Sequence, residues 1–480
     1  MPILTGKGYI DRINKLGSNV WIEGKRIKGK ISEHPAFKGV MESQATLYDL
    51  QNDPDKSDYM TFVSPDTGTR VGTSFLIPTS KEDLEKRRKM TQEWARFNLG
   101  MMGRSPDYMN TALSAIAAGA SIFSDSQISS TENILRFYEE AREKDYSFTH
   151  TFINPQVNRA QYYLEDFDEE IISAQVIDKN DEGIIVHGAR LLATQGGITD
   201  ELLVFPSGGN LSNEFSYAFS IPSNTKGLKF ICRESFSYSQ SHFDHPLGSR
   251  FEEMDTLIVF DHVLVPWERV FFYDQPEFAK TLYTGTSFFP LVLHQVVSRQ
   301  MTKTESILGV AQSMVDMINI GEYQHVQEKI SEIITGYESL KGLLFSAELQ
   351  SKADKWGTTI PTLQPLYAAV NLFPKLYPRY TEILQLLGAS SLVSIPTEMD
   401  FQSEIKEDLN SYLQSSSTNA QERVKLYRLA WDISMSAFGG RQTLYERFFF
   451  GDPIRLASNQ YRGYERSEFV ERIKEFINKK

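Results

Sequence analysis

Leu202-Leu-Val-Phe205, Phe215-Ser-Tyr-Ala-Phe-Ser-Ile221, Leu228-Lys-Phe-Ile-Cys232 and Leu257-Ile-Val-Phe-Asp-His-Val-Leu-Val265 decide the reading of the whole chain. Each run is short and rich in β-branched and aromatic residues, and Ile184-Ile185-Val186 stands ahead of them in the same style. Turn-forming clusters separate them: Asn180-Asp181-Glu182-Gly183, Ser207-Gly208-Gly209-Asn210 and Pro222-Ser223-Asn224. No long helical pattern lies between the runs, which disfavours βαβ crossovers and predicts a compact β domain over residues 148–275.

On either side the period becomes helical. Upstream, Leu84, Trp94, Phe97 and Leu99, then Ile122, Phe123, Ile134, Leu135 and Tyr138, recur at helical spacing, and Thr79-Ser80 before Glu82-Asp83 reads as a helix N-cap. Downstream of Pro276, Ile307, Val310, Ala311, Met314, Val315 and Ile318 form one apolar face. Val326, Ile330, Ile333, Ile334, Tyr337, Leu340 and Leu344 form another, and Tyr380 to Leu387 and Val424 to Phe438 extend the series into a bundle. Gln402 to Ser417 is polar and reads as a loop or a helix end. The expected fold is α+β, mainly α: an N-terminal helical domain (1–147), a middle β-barrel domain (148–275) and a C-terminal helical bundle (276–480). That order resembles the acyl-CoA dehydrogenase architecture, in which flavin lies between the β domain and the bundle.

Composition bounds the function. The 480 residues suit about three domains. A 41% hydrophobic and 23% charged content is ordinary globular usage, and a net charge of −12 argues against a nucleic-acid partner. No secretory signal and no apolar run of about 18 residues is seen, which predicts a cytoplasmic protein without a membrane span. The single cysteine, Cys232, excludes an internal disulfide and a thiolate-built zinc or iron–sulfur centre. Nucleotide-binding, zinc-protease and serine-hydrolase motifs are absent. Of eight histidines only His242 and His245 lie close together, with Asp244 between them; a polar loop is the favoured reading, and no metal is expected.

Several positions carry chemistry of their own. Arg104 and Tyr108 are four apart and share a helical face if a helix begins nearby, as Pro106 in a first turn suggests. A guanidinium beside a phenol stabilises the phenolate, and a tyrosine hydroxyl donates to the same oxygen; the plainer alternative is a capping arginine and a core tyrosine. His150 enters the β domain, where a lone histidine is commonly structural. Gln156-Val-Asn-Arg159 offers amides for a hydrogen-bonding ring edge and a guanidinium for pyrophosphate, or merely a polar turn. Thr194, Ser207-Gly208 and Gly451-Asp-Pro-Ile454 read equally as strand and turn residues.

Ser32-Glu-His-Pro-Ala-Phe37, Gly103-Arg-Ser-Pro-Asp-Tyr108, Thr149-His-Thr-Phe-Ile-Asn-Pro-Gln-Val-Asn-Arg159, Gly188-Ala-Arg-Leu-Leu-Ala-Thr194, Phe251 to Val270 and Tyr445-Glu-Arg-Phe-Phe-Phe-Gly-Asp-Pro453 occur in one order across nearly the whole chain. Together they resemble the 4-hydroxyphenylacetate 3-hydroxylase family, the oxygenase components of two-component flavin-dependent monooxygenases. The resemblance implies that Arg104, Tyr108 and His150 are catalytic and hold the substrate phenol with Ser105, and that Ser207 and Gly208 hold its carboxylate side. It assigns His150, Thr151, Phe152, Gln156, Val157, Asn158, Arg159, Gly451, Asp452, Pro453 and Ile454 to flavin, with Thr194 near the reactive flavin edge.

By the same resemblance, reduced FAD arrives from a separate flavin reductase and molecular oxygen adds at flavin C4a. The hydroperoxide then hydroxylates a phenol such as 4-hydroxyphenylacetate ortho to its hydroxyl, giving 3,4-dihydroxyphenylacetate. A homotetramer, a dimer of dimers, is expected. Alternatives within the fold are a chlorophenol oxygenase, where His294 becomes a candidate second base, and a biosynthetic hydroxylase of larger phenols. The similar 4-hydroxybutyryl-CoA dehydratases need cluster cysteines that Cys232 alone cannot supply. Outside enzymology, a flavin-binding protein without turnover is the rival.

Overall fold

The computed structural model describes residues 3–124, 128–155, 172–206 and 213–479. Helices begin where the sequence caps them. Ser80 opens Lys81–Phe97: its hydroxyl accepts the Asp83 N–H at 3.1 Å, and Asp83 accepts the Ser80 N–H at 3.1 Å. This reciprocal pair satisfies two N–H groups that the first turn leaves without helical partners. Pro106 occupies the first position of Pro106–Ala118, where its fixed φ and missing N–H cost nothing.

Apart from two two-stranded ribbons, Thr61–Val63 with Arg70–Gly72 and Lys352–Ala353 with Thr359–Ile360, the described strands lie in two sheets and not in the expected closed barrel. One sheet has six strands in the order Lys25–Arg26, Val20–Ile22, Leu228–Cys232, Asp255–Pro266, Gly183–Thr194, Gln175–Lys179. The other has four: Val270–Tyr273, Tyr217–Pro222, Glu201–Val204 and Phe148–Thr151. The two long strands pair antiparallel with register breaks between Thr256 and Ile258 and between Phe260 and Val263. Such bulges bend and twist the larger sheet over the smaller one without completing a circuit of backbone hydrogen bonds. Phe219 meets Phe260 edge-on across the space between the sheets, at 6.3 Å. Phe148–Thr151 runs parallel to Glu201–Val204 and sets His150 opposite Leu203.

In the C-terminal part Phe288–Met317, Gln324–Leu349, Leu363–Gly388, Ala420–Ser434 and Ala437–Phe448 pack together. The predicted apolar faces are buried except at Ile318 and Tyr337, which are half-buried, and at Ile334, which is 44% exposed while its neighbour Ile333 fills the core. Phe288–Met317 is buried on nearly every side because Lys81–Phe97 and Pro106–Ala118 also pack on it. The polar stretch 402–417 contains a short helix, Lys406–Tyr412. At the far end, Ser467–Asn478 buries nothing and exposes Phe469, Val470, Ile473, Phe476 and Ile477. Among the described residues, no helix is long and apolar enough to cross a membrane.

Candidate active site

Arg104 lies two residues ahead of the helix Pro106–Ala118, so it does not share a helical face with Tyr108. The two meet because the loop folds back: the guanidinium carbon lies 4.5 Å from the Tyr108 ring centroid and 4.5 Å from that of Phe449. A cation over aromatic faces is attracted by the ring quadrupoles. Arg104 Nη1 also donates to the Tyr445 hydroxyl at 2.7 Å. Beneath the loop, Glu253 accepts the Gly103 N–H at 2.9 Å and the Arg104 N–H at 2.7 Å. From strand Phe148–Thr151, His150 brings its ring within 5.8 Å of Tyr108 and stacks on Phe152 at 5.6 Å.

Electrostatics gives these groups distinct protonation states. Burial, reinforced by the Arg104 charge, holds His150 well below the ordinary imidazole range, so the ring is neutral at pH 7. Burial raises the Tyr108 phenol, partly offset by Arg104, so its hydroxyl keeps its proton. His150 Nδ1 and Arg104 Nε are buried without hydrogen-bond partners among the described residues. Unpaired buried polar atoms are costly and call for a ligand. A neutral imidazole, a guanidinium and a phenolic hydroxyl converging on one place can take a phenol's proton and stabilise the resulting oxyanion.

Thr194 ends strand Gly183–Thr194, and its hydroxyl donates to Asp255 Oδ1 at 2.7 Å. Burial alone would raise Asp255, but Arg441 and Arg233 hold it far below the usual carboxylate range. With its proton committed to an ionised acid, the Thr194 hydroxyl can serve another group only as an acceptor. Thr149 Oγ1 donates to the Thr194 carbonyl at 2.7 Å, tying this end of the strand to the one that carries His150.

Other predicted positions divide. The Ser105 hydroxyl is engaged by Asp107 at 2.6 Å, and that of Thr151 by the Leu191 carbonyl at 2.8 Å. Gly451 takes a left-handed φ of 110°. Asp452 caps Pro453–Gly463 through the Ile454 N–H at 3.1 Å, and the Ile454 side chain is 77% exposed. Gln156, Val157, Asn158, Arg159, Ser207 and Gly208 lie outside the described residues. His294 is buried in the bundle, its Nε2 2.7 Å from Glu348 Oε1, a carboxylate that Arg88 also engages at 2.8 Å. His242 bonds Ser249 at 2.8 Å and Asp244 accepts the Glu398 N–H at 3.0 Å, so these do not converge as metal ligands. Among the described residues, His187, Asp261 and His262 at the second bulge bring ligand atoms within 4.8 Å of one another, a grouping that exposed side chains commonly form without an ion.

Reading the sequence missed Tyr445, Phe449, Glu253, Asp255 and Arg441 as parts of the site. Four of them fall inside the segments Phe251 to Val270 and Tyr445 to Pro453, which flagged the neighbourhood without a role for each side chain.

The residues present fit a flavin beside a phenol, since they leave an acceptor hydroxyl on Thr194 and unpaired buried nitrogens on His150 and Arg104. Comparison with known proteins agrees. The family model for the 4-hydroxyphenylacetate 3-hydroxylase N terminal matches residues 5–272, and that for its C terminal matches 279–478. A probable 4-hydroxyphenylacetate 3-monooxygenase of Bacillus subtilis is 55% identical, over 100% of this chain and 99% of the relative. The 4-hydroxyphenylacetate 3-monooxygenase oxygenase component of Thermus thermophilus is 43% identical, over 98% and 97%. A crystal structure of such an oxygenase component, complexed with FAD and 4-hydroxyphenylacetate, superposes with a TM-score of 0.94 at 43% identity over 98% of both chains. An archaeal 4-hydroxybutyryl-CoA dehydratase, 19% identical over 99% of this chain and 95% of its own, shares the fold with a TM-score of 0.89. By class, then, this is the oxygenase component of a flavin-dependent aromatic monooxygenase. The chain belongs to the 4-hydroxyphenylacetate 3-hydroxylase family.

Proposed function

We propose that this protein hydroxylates 4-hydroxyphenylacetate ortho to its hydroxyl, giving 3,4-dihydroxyphenylacetate, with reduced FAD supplied by a separate flavin reductase. The observation that carries the reading is the convergence of Arg104, Tyr108 and His150, two of them with unpaired buried nitrogens. Neutral His150 accepts the phenol proton, Arg104 stabilises the phenolate, and the Tyr108 hydroxyl donates to the same oxygen. The ring thereby becomes electron-rich at the ortho carbon. Bound reduced FAD supplies the activation of molecular oxygen. The Thr194 hydroxyl accepts a hydrogen bond from the flavin edge. Phe449 and Tyr445 cover the pocket against water, which limits wasteful release of hydrogen peroxide.

Ser105, Ser207 and Gly208 are assigned to the substrate. His150, Thr151, Phe152, Gln156, Val157, Asn158, Arg159, Gly451, Asp452, Pro453 and Ile454 are assigned to flavin. We assign three domains, 1–147, 148–275 and 276–480, and put the cofactor between the β part and the bundle. A homotetramer is supported by the unpartnered apolar face of Ser467–Asn478. A cytoplasmic setting suits Cys232, a free thiol pushed up to about 12 by burial.

The test is a panel of phenols incubated with the protein, FAD, NADH and a generic flavin reductase, scored for catechols. 4-Hydroxyphenylacetate should give the highest yield per oxygen consumed. Arg104→Ala should release hydrogen peroxide in place of catechol while FAD affinity is kept. Absence of hydroxylated product from every phenol defeats the proposal, and an equal loss of FAD affinity moves Arg104 into cofactor binding.

A further inference from the structure

Two carboxylates that bracket Met254 serve opposite sides of the site. Glu253 is fully buried and, besides the Gly103 and Arg104 amides, accepts from Gln195 Nε2 at 3.1 Å. Asp255 accepts the Thr194 hydroxyl at 2.7 Å and Arg233 Nε at 3.0 Å. Arg441, on Ala437–Phe448, joins them. Its Nε and Nη2 each lie 2.8 Å from Asp255, and its Nη1 lies 3.7 Å from Glu253.

We infer that Arg441 is a positioning residue that, acting through Glu253 and Asp255, locks the Arg104 loop and the Thr194 hydroxyl into one mutual register. A carboxylate that accepts two successive backbone N–H groups fixes the plane between them, and so the direction in which Arg104 leaves the loop. Buried carboxylates stay ionised only beside a compensating cation. Asp255 retains Arg233 if Arg441 is lost. Glu253 is left with the more weakly acting Arg104, and because burial already raises its carboxyl it takes up a proton more readily, accepts its two amides poorly, and frees the loop. Arg441 touches neither phenol nor flavin in this scheme. Its effect on turnover rests on the proposed function, while its effect on the loop does not.

The experiment compares Arg441→Gln, Arg441→Lys and Glu253→Gln with wild type. Amide hydrogen exchange over residues 101–105 is read together with phenol KM, catechol formed per oxygen consumed, and FAD affinity. In Arg441→Gln, exchange at Gly103 and Arg104 should accelerate about tenfold. Phenol KM should rise about tenfold with FAD affinity held within about twofold. Arg441→Lys should recover most of both effects, and Glu253→Gln should reproduce the exchange and KM changes. If Arg441→Gln lowers only the melting temperature, with exchange and KM as in wild type, or if Arg441→Lys recovers neither, the clamp is refuted. Should Arg441→Gln fail to fold, the other two variants decide. If wild type forms no catechol, the proposed function falls and hydrogen exchange alone still tests the clamp.

Discussion

Arg104 Nη1 and the Tyr445 hydroxyl lie 2.7 Å apart although 341 positions separate them in the chain. The same hydroxyl lies 3.2 Å from the Gly103 carbonyl, to which it donates, so one tyrosine holds both the loop and its guanidinium. Tyr445→Phe keeps the ring and loses both bonds. A hydrogen bond to a charged group contributes about 1.5 kcal/mol, equivalent to roughly tenfold. Phenol KM should rise by that factor with FAD affinity unchanged; an unaltered KM refutes the tether.

His150 sets a pH dependence of stability. Its folded pKa is depressed by burial and then by Arg104, so between that value and about 6.5 the unfolded chain binds more protons than the folded one. Stability therefore rises with pH through this window and reaches its full value above it, with a slope of up to about 1.4 kcal/mol per pH unit. Urea unfolding of His150→Gln at pH 5.0, 6.0 and 7.0 should show a flatter dependence than wild type. Parallel curves would mean that the ring is not buried neutral.

Glu446 binds Arg299 through contacts of 2.6 and 3.0 Å and Lys303 at 2.8 Å, all inside the bundle. Burial alone would raise its pKa, but the two cations pull it down to about 2. Glu446→Gln leaves buried positive charge without a counterion and should cost about 3–5 kcal/mol at pH 7. Because the depressed group contributes above its unfolded pKa of about 4.3, the gap to wild type should narrow as pH falls from there towards 2. A gap independent of pH contradicts an ionised Glu446.

The terminal helix Ser467–Asn478 exposes five large apolar side chains along one amphipathic face. Ending the chain after Gly463 should lower the oligomeric state in light scattering while the melting temperature of the remaining fold changes little. An intact oligomer would place the assembly surface elsewhere.

What the sequence reveals follows the range of each interaction. The runs at 202–205, 228–232 and 257–265 were legible as strands because alternation and turn residues are local, and Ser80 with Asp83 announces a helix start within four residues. Barrel closure was not legible, because it depends on two bulges in Asp255–Pro266 and on which sheet each strand joins. The four-residue spacing of Arg104 and Tyr108 suggested the right neighbours for the wrong reason, since the helix starts at Pro106. Glu253 stands 149 positions from the Arg104 amide that it accepts, and Arg441 stands 186 from Asp255. No periodicity reports such pairs. The resembling segments contain Glu253 and Asp255 without a role for either, and Arg441 lies outside them, so both pairs are visible only in the geometry.

Of the groups that touch Arg104, the two rings over it are the last to be synthesised. Tyr445 and Phe449 leave the ribosome after both sheets and most of the bundle, so a growing chain carries Arg104 for most of its synthesis with nothing above it. Enclosure of the site coincides with completion of the protomer. A chain that ends before Tyr445 therefore lacks both rings over Arg104, whereas one that ends after Gly463 keeps them.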